Sequence, residues 1–285
     1  MYVELLSLFT AVCYGASAVF TRKGMRDSNP ITGAVVAALV QVVVLLGLLL
    51  AYPPARIDWT AIAFFVASGI LASTLGRLLN FMSIERLGVP VSASIIGSSP
   101  LFSTIFAVVA IGESVALTTV LGTVFVVIGI ALTSGGNKLG SKLLGSALVI
   151  PVMSAAFYGA SSVVRKVGLN ILPDSVIGAF VGAASSLVSF LLYIVTTKRV
   201  AEVRLSRNSV KYFIGSGLAV SAGWLAMFAA LSTGSVSVVS ALIGTNPLFS
   251  LALSLVFLRE TEDINRRIAA GAFAIVAGAA IITLF

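Results

Sequence analysis

Long apolar runs separated by short polar stretches make up nearly the whole chain. A transmembrane helix needs about 20 mostly apolar residues, and cutting the chain at clusters of charged, Pro or Gly residues predicts ten such segments. The connections are short, so the pattern predicts an all-α integral membrane protein with no soluble domain. Numbered 1 to 10 in chain order, the segments span approximately 2–22, 31–52, 60–83, 89–111, 116–134, 143–165, 173–196, 210–232, 236–258 and 266–284.

The apolar pattern of segments 4 and 9 is interrupted in the same way. Each contains a glycine three residues before a proline, Gly97 and Pro100 in segment 4 and Gly244 and Pro247 in segment 9. Proline lacks an N–H donor and glycine adds backbone freedom, so both weaken a helix and we expect a bend or break at each site. Membranes tolerate such breaks only where protein or a water-filled cavity satisfies the freed backbone groups. Paired interruptions in two halves of a chain therefore indicate a transporter's substrate site.

Further similarity relates the two halves of the chain. The motif Tyr-Gly-Ala-Ser occurs at 14–17 and at 158–161, and Gly76–Val115 aligns without gaps on Gly223–Glu262 with about a third of the positions identical. Because each half contains five segments, an odd number, the second half enters the membrane in the opposite orientation. Such inverted-topology repeats build alternating-access transporters. The predicted repeats are 1–134 and 143–285, packed as one integrated membrane domain.

Composition supports the membrane class. Hydrophobic residues make up 59% of the 285 positions and charged residues 10%, whereas a soluble domain carries roughly a quarter charged residues. The net charge is +8, but the basic residues lie at the ends of apolar segments, where they contact lipid headgroups. We therefore expect the lipid bilayer and a small-molecule substrate as partners, no nucleic acid, and a monomer in the cell membrane.

The distribution of Lys and Arg predicts the orientation, since cytoplasmic loops carry an excess of both. The termini and the loops after even-numbered segments hold only Arg56, Arg165 and Lys166. The rule therefore places both termini outside. The basic residues assigned to the odd-numbered, cytoplasmic loops are Arg22, Lys23, Arg26, Arg86, Lys138, Lys142, Lys198, Arg199, Arg204, Arg207, Lys211, Arg259, Arg266 and Arg267.

Arg77 lies well inside segment 3, with Asn80 one turn further on. A charge at the bilayer centre costs roughly 2.5–3.5 kcal/mol on insertion scales, so it requires a cavity or a partner. We expect Arg77 to attract a carboxylate or phosphate group of a substrate; the alternative is a structural arginine capped by carbonyls. Its counterpart in the other repeat, Trp224, can stack on a substrate or serve as a packing or interfacial residue.

Polar residues at helical spacing supply further candidates. Tyr14 and Ser17 share a face of segment 1, and Tyr158 and Ser161 share the matching face of segment 6; such stripes line a cavity or join helices by hydrogen bonds. Polar residues between the Gly and Pro of each break can meet a substrate beside unpaired backbone groups. The predicted substrate-binding residues are Tyr14, Ser17, Gln41, Arg77, Asn80, Ser98, Ser99, Tyr158, Ser161, Trp224, Thr245 and Asn246.

Acidic groups and histidines are absent from the middle of the segments. The chain has no His, and no Asp or Glu lies deep in any segment. Proton-coupled carriers commonly use such a group, so facilitated diffusion or exchange is the favoured mode. Metal-dependent and acid–base enzymes need His or paired carboxylates, so we predict no catalytic residue, cofactor or metal site. Glu113 and Glu260 lie at segment ends, where we expect each to cap the next helix.

These features together resemble the EamA-type branch of the drug/metabolite transporter superfamily. The resemblance rests on the doubled Gly-x-x-Pro motif, the acidic residue before segments 5 and 10, and glycines spaced seven apart, Gly122 with Gly129 and Gly271 with Gly278. It covers essentially the whole chain. It implies ten helices and secondary transport, often export of amino acids or related metabolites. Many relatives have basic residues before helix 1 and termini inside, which differs from the orientation predicted above.

We therefore predict a secondary transporter, an exporter or facilitator, that moves small organic metabolites such as amino acids by alternating access through a central cavity. Two alternatives share the fold: a multidrug carrier and a nucleotide-sugar or organophosphate carrier. A non-transporting membrane scaffold or a lipid-handling enzyme is the alternative from a different class.

Overall fold

The computed structural model describes residues 1–87, 95–133, 148–257 and 266–284, and every regular element within these ranges is helical. A π-helix, Leu71–Gly76, joins α3 to α4, and short 3-10 turns at Met25–Asp27 and Arg199–Glu202 follow α1 and α8. The α-helices are α1 (Tyr2–Gly24), α2 (Pro30–Ala51), α3 (Trp59–Ile70), α4 (Arg77–Leu87), α5 (Ser99–Ile111), α6 (Leu117–Thr133), α7 (Val149–Ile171), α8 (Ser175–Thr196), α9 (Arg207–Thr233), α10 (Val236–Ile243), α11 (Asn246–Phe257) and α12 (Arg266–Leu284).

Six helical segments of the described chain are long and apolar enough to cross a membrane. Shorter apolar helices lie at Ser99–Ile111, Leu117–Leu132 and Ala270–Thr283. The structure therefore agrees with the prediction of an all-α membrane protein. The six long segments are Tyr2–Asp27, Ile31–Ala51, Trp59–Asn80, Ser175–Thr196, Arg207–Thr233 and Val236–Leu253.

Side-chain caps fix where three of these helices begin. Asn29, Asp58 and Asp174 precede α2, α3 and α8, and each accepts a hydrogen bond from a backbone N–H in the first turn. Such a cap satisfies one of the N–H groups that a helix start leaves without an intrahelical partner. Short polar connections between apolar runs thus become sharp helix boundaries.

Helix α7 ends later than the sequence pattern predicts for segment 6. The pattern ends at residue 165, but α7 continues to Ile171. The assignment of Arg165 and Lys166 to a loop is therefore wrong. The helix continues because Lys166 Nζ donates hydrogen bonds to the carbonyls of Leu231 (2.8 Å) and Gly234 (3.0 Å), and because Arg165 is buried against aromatic rings of α9.

The π-helix within segment 3 positions the start of α4. A π-helix is a rare local widening that occurs frequently at functional sites. At its last residue, Gly76, the backbone carbonyl accepts a 2.7 Å hydrogen bond from the Ser154 hydroxyl of α7. In the other half of the chain, the hydroxyl of Thr10 donates to the carbonyl of Gly223, the residue aligned with Gly76, at 3.1 Å. Arg77, the first residue of α4, is thereby held beside α7.

The chain turns out of the helix just before each of the two prolines. Residues 97–98 form a turn ahead of α5, and residues 244–245 separate α10 from α11. Each proline then lies in the first turn of the following helix, where its missing N–H is tolerated. Asn246 Nδ2 donates to the carbonyl of Ile243 at 3.1 Å, the group that the N–H of an ordinary residue at 247 would reach. The Ile243 carbonyl therefore has a hydrogen-bond donor despite the break.

Glycines at equivalent positions let helices cross closely beside the breaks. A Cβ atom on Gly15 of α1 would lie 2.8 Å from the backbone nitrogen of Ser250 in α11. One on Gly159 of α7 would lie 2.7 Å from the backbone nitrogen of Ser103 in α5. Real Cβ contacts are longer, so only glycine allows α1 and α7 to rest directly on the backbones of α11 and α5.

Candidate functional site

A cavity of about 640 Å³ lies between the two helix breaks. This volume falls in the range of roughly 300–1,000 Å³ that is typical of small-molecule sites. Both halves of the chain contribute side chains to its walls. The lining residues are Tyr14, Ala72, Arg77, Asn80, Ile96, Gly97, Ser99, Pro100, Ser103, Ile130, Tyr158, Ser161, Ser162, Arg165, Val220, Trp224, Met227, Ser240, Ile243, Gly244, Asn246 and Pro247.

Arg77 lines the cavity from the start of α4. Its guanidinium carbon lies 5.7 Å from the centroid of the Phe190 ring, within the range of a cation–π contact. Arg77 and Asn80 both approach the hydroxyl of Tyr158 in α7. The ring of Tyr158 packs on the backbone at Gly76, where a Cβ atom would lie only 3.1 Å from it. Side chains from segments far apart in the sequence thus form one polar wall.

Tyr14 has matching surroundings, with a different partner at its hydroxyl. Its ring packs on the backbone at Gly223, where a Cβ atom would also lie 3.1 Å away. Its hydroxyl donates to the sulfur of Met227 at 3.7 Å. Met227 aligns with Asn80 in the repeat, so an amide beside one tyrosine is replaced by a thioether beside the other. The hydroxyl of Tyr14 therefore has only a weak acceptor beside it.

A second guanidinium group lines the same cavity. Arg165 is 3% exposed, and its guanidinium carbon lies 5.1 Å from the ring centroid of Trp224 and 5.0 Å from that of Phe228. Its Nη1 lies 3.4 Å from the sulfur of Met227, and its Nε has no hydrogen-bond partner among the described residues. No Asp or Glu is among the described residues that line the cavity. In the same ranges, no cluster of His, Cys, Asp or Glu could hold a metal ion.

Some polar residues of the two breaks hydrogen-bond backbone carbonyls, and others line the cavity. Ser98 Oγ donates to the carbonyl of Ile95 at 2.6 Å, and Thr245 Oγ1 donates to the carbonyl of Leu242 at 2.7 Å. These hydroxyls therefore replace helical hydrogen bonds around the turns. The break residues that line the cavity are Gly97, Ser99, Pro100, Gly244, Asn246 and Pro247.

The structure brings most of the predicted binding residues together and places four elsewhere. Ser17 Oγ hydrogen-bonds Ser216 Oγ at 2.7 Å, which joins α1 to α9. Gln41 is 7% exposed in α2 and lies outside the lining set. Ser98 and Thr245 serve the turns, as described above. The others, whose role in binding stays a prediction, are Tyr14, Arg77, Asn80, Ser99, Tyr158, Ser161, Trp224 and Asn246.

Other cavity residues are absent from the predicted binding set. Arg165 lies four residues after Ser161 on the helix face of Tyr158, so the periodicity of α7 contained a signal for it. Its position beside a second basic residue imitates a helix end and obscures that signal. Met227 could have been found from its alignment with Asn80. Additional hydroxyls at the cavity belong to Ser103, Ser162 and Ser240.

Glu113, between α5 and α6, caps a helix of the other half of the chain. Its carboxylate accepts hydrogen bonds from the backbone N–H groups of Val236 (2.8 Å) and Ser237 (3.0 Å), the first residues of α10. Glu113 therefore caps a helix, as expected. The expected helix, α6, is wrong, because the capped helix is α10. A carboxylate is stabilised there by the N-terminal end of the helix dipole. Glu260 lies outside the described residues.

Comparison with known proteins relates the whole chain to one family. The sequence profile of the EamA-like transporter family matches residues 1–135 and 145–284. A protein of Archaeoglobus fulgidus, described as an uncharacterized transporter, is 25% identical over 276 residues, which cover 95% of this chain and 94% of that protein. A solved crystal structure with 16% sequence identity shares the fold, with a TM-score of 0.80 over 99% of this chain and 96% of the other. The chain belongs to the EamA-like transporter family.

Proposed function

We propose that this protein is a secondary transporter that moves small organic metabolites, such as amino acids, through the central cavity by alternating access. The observation that carries the proposal is the composition of the cavity wall, which includes both helix breaks and a charged side chain, Arg77. Broken helices in two halves of a transporter typically form its substrate site. An ionisable residue within a membrane typically marks a solute pathway.

Contacts at equivalent positions support a ten-helix arrangement in two inverted repeats. The hydrogen bonds from Thr10 to Gly223 and from Ser154 to Gly76 connect aligned residues. The glycine crossings of α1 over α11 and of α7 over α5 are matched in the same way. Alternating access needs two arrangements of similar free energy, and near-identical contacts in both halves favour that condition. The proposed repeats are 1–134 and 143–285.

The cavity walls favour a solute that carries a carboxylate group on a polar body. Arg77 offers a fixed positive charge with a planar fork that matches a carboxylate. Tyr158, Asn80, Ser99 and Asn246 line the cavity beside it and can form hydrogen bonds with polar groups of the solute. Because no acid lines the described cavity, we favour facilitated diffusion or exchange over proton-coupled transport.

Flux into proteoliposomes tests this function. Reconstituted protein is expected to show saturable uptake of radiolabelled solutes from a panel of amino acids and organic acids. Arg77→Ala should abolish transport of carboxylate-bearing solutes without changing protein yield or gel-filtration elution. Arg77→Lys should retain part of the flux, because the charge survives without the planar fork.

Arg56→Ala provides the matched control. Arg56 is an exposed arginine that donates to the carbonyl of Ile171 outside the cavity, so its removal should leave the flux unchanged. Wild-type flux in Arg77→Ala would make Arg77 structural and overturn the proposed charge preference. Absence of saturable flux for every solute in the panel would overturn the proposed substrate class.

A further inference from the structure

We infer that Arg165 is a second anion-binding residue of the cavity, and that the transported solute therefore carries two anionic groups, one for each arginine. The inference rests on the transport function proposed above and narrows its substrate class. It concerns a residue that the sequence pattern assigns to a loop but that the structure buries beside the cavity.

The protein does not satisfy the hydrogen-bond donors of Arg165. A guanidinium has five N–H groups, and this one is 3% exposed. Its Nη1 reaches the sulfur of Met227, a weak acceptor, and its Nε has no partner among the described residues. A buried charge is ordinarily paired and hydrogen-bonded. The described residues therefore give Arg165 few acceptors, and an anionic group in the cavity would supply more.

The aromatic contacts of Arg165 hold its guanidinium in place but give its N–H groups no oxygen acceptor. The rings of Trp224 and Phe228 lie 5.1 Å and 5.0 Å from the guanidinium carbon. An aromatic face attracts the positive charge, but it cannot replace an oxygen acceptor at the N–H edge. A guanidinium fixed before the solute arrives loses little conformational freedom on binding. The arrangement is that of a preformed anion site.

Other residues of the cavity wall also carry hydrogen-bond donors or positive charge. Trp224 also lines it, and its indole Nε1 is buried away from solvent and has no hydrogen-bond partner among the described residues. Arg77 adds a second guanidinium, and the described lining contains no Asp or Glu to neutralise either charge. Carboxylate and phosphate groups both match the guanidinium fork. A solute with one anionic group would leave one arginine uncompensated, whereas a solute with two would balance both.

A four-carbon ligand series tests the number of anionic groups directly. The purified full chain in detergent is heated with butyrate, 4-aminobutyrate, succinate or 1,4-diaminobutane, and 2-phosphoglycolate distinguishes phosphate from a second carboxylate. We expect succinate or 2-phosphoglycolate to stabilise the protein at concentrations about tenfold below that needed for butyrate. The diamine should not stabilise it.

Substitutions at Arg165 assign the effect to this residue. Arg165→Gln should remove the preference for the doubly charged ligand while leaving butyrate binding within about threefold, because Arg77 remains. Arg165→Lys should keep part of the preference. The exposed Arg56→Gln is the control and should behave as wild type. Gel filtration checks folding, and if Arg165→Gln does not fold, the wild-type series and Arg165→Lys decide the question.

Three results would overturn the inference. The first is equal stabilisation of the wild type by butyrate and succinate, with 2-phosphoglycolate no better. The second is an Arg165→Gln or Arg165→Lys protein that keeps the full wild-type preference. The third is saturable flux of a singly charged solute that exceeds the flux of every doubly charged solute in the panel and is unaffected in Arg165→Gln, which would refute the second site and leave the transport function intact. Ligand binding without saturable flux would instead count against transport itself.

Discussion

The two arginines that line the cavity show how far single residues could be predicted. Arg77 stands alone in an apolar run, and its charge alone indicates a cavity or a partner. Arg165 lies in a longer helix than the pattern predicts, because aromatic rings of α9 cover its guanidinium. Those rings come from a distant part of the chain, so no local pattern could reveal them. The sequence therefore identifies Arg77 as a binding residue, whereas the helical spacing of Arg165 from Tyr158 and Ser161 does not by itself reveal that it is covered by aromatic rings.

Tyr158 should support anion binding more strongly than its counterpart Tyr14. Its hydroxyl is approached by Arg77 and Asn80, whereas the hydroxyl of Tyr14 contacts the sulfur of Met227. Tyr158→Phe should raise the KM for a carboxylate solute about three- to tenfold, because one hydrogen bond in the polar network is lost. Initial rates in proteoliposomes measure this.

Tyr14→Phe is the matched substitution in the other repeat. It removes a hydroxyl whose partner is only a weak acceptor, so the change in KM should be smaller. An equal or larger effect of Tyr14→Phe would show that the solute depends at least as strongly on the Tyr14 side of the cavity.

At the scale of elements, the helix breaks could be predicted but their internal bonding could not. Glycine and proline locate the interruptions because each weakens a helix on its own. Which polar side chain then hydrogen-bonds a backbone carbonyl depends on the turn that forms. Thr245 and Asn246 both donate to carbonyls of α10, yet only Asn246 also lines the cavity. Neighbouring residues of similar polarity thus have different roles.

Glu113 should stabilise the first half of the second broken helix. Its carboxylate accepts two hydrogen bonds from the N-terminal N–H groups of α10, and such charge-assisted caps are among the stronger hydrogen bonds. Glu113→Ala should destabilise the protein by about 1–3 kcal/mol, because two buried donors lose their acceptor. The melting temperature in detergent measures the loss.

Glu202→Ala is the control for the loss of a carboxylate. Glu202 pairs with Arg199 at 2.8 Å, but both side chains are largely exposed. Such surface pairs contribute little to stability, so the melting temperature should barely change. A similar drop in both variants would show that the cap at α10 is no more important than a surface ion pair.

At the scale of the whole molecule, contacts between loops define two ends of the helical bundle. The hydroxyl of Ser28 donates to the carbonyl of Arg204, and Arg56 donates to the carbonyl of Ile171, both at 2.8 Å. The first contact joins the loops after segments 1 and 7, and the second joins the loop after segment 2 to the C-terminal end of α7, which is segment 6. The sequence predicts which connections lie at the same end of the bundle, because each segment that crosses the membrane takes the chain to the opposite end.

The excess of basic residues at one end leads us to predict that the termini lie outside. With Arg165 inside a helix, the even-numbered loops hold fewer basic residues than the sequence pattern implies, which strengthens the imbalance. Single cysteines replacing Asp58 and Arg204, each in a Cys13→Ala background, report the two ends. An impermeant thiol reagent added to intact cells should label position 58. Labelling of position 204 instead would reverse the assignment.

The acid-free cavity implies that the membrane potential acts on transport. The chain has no histidine, and no carboxylate lines the described cavity to carry a compensating proton together with an anionic solute. Each elementary charge moved across 100 mV changes the free energy by about 2.3 kcal/mol, so an inside-negative potential drives an anion outward. In proteoliposomes, a potassium diffusion potential that is negative inside should accelerate anion efflux, and reversing it should slow efflux. Efflux that follows an imposed pH gradient and ignores the potential would contradict this view.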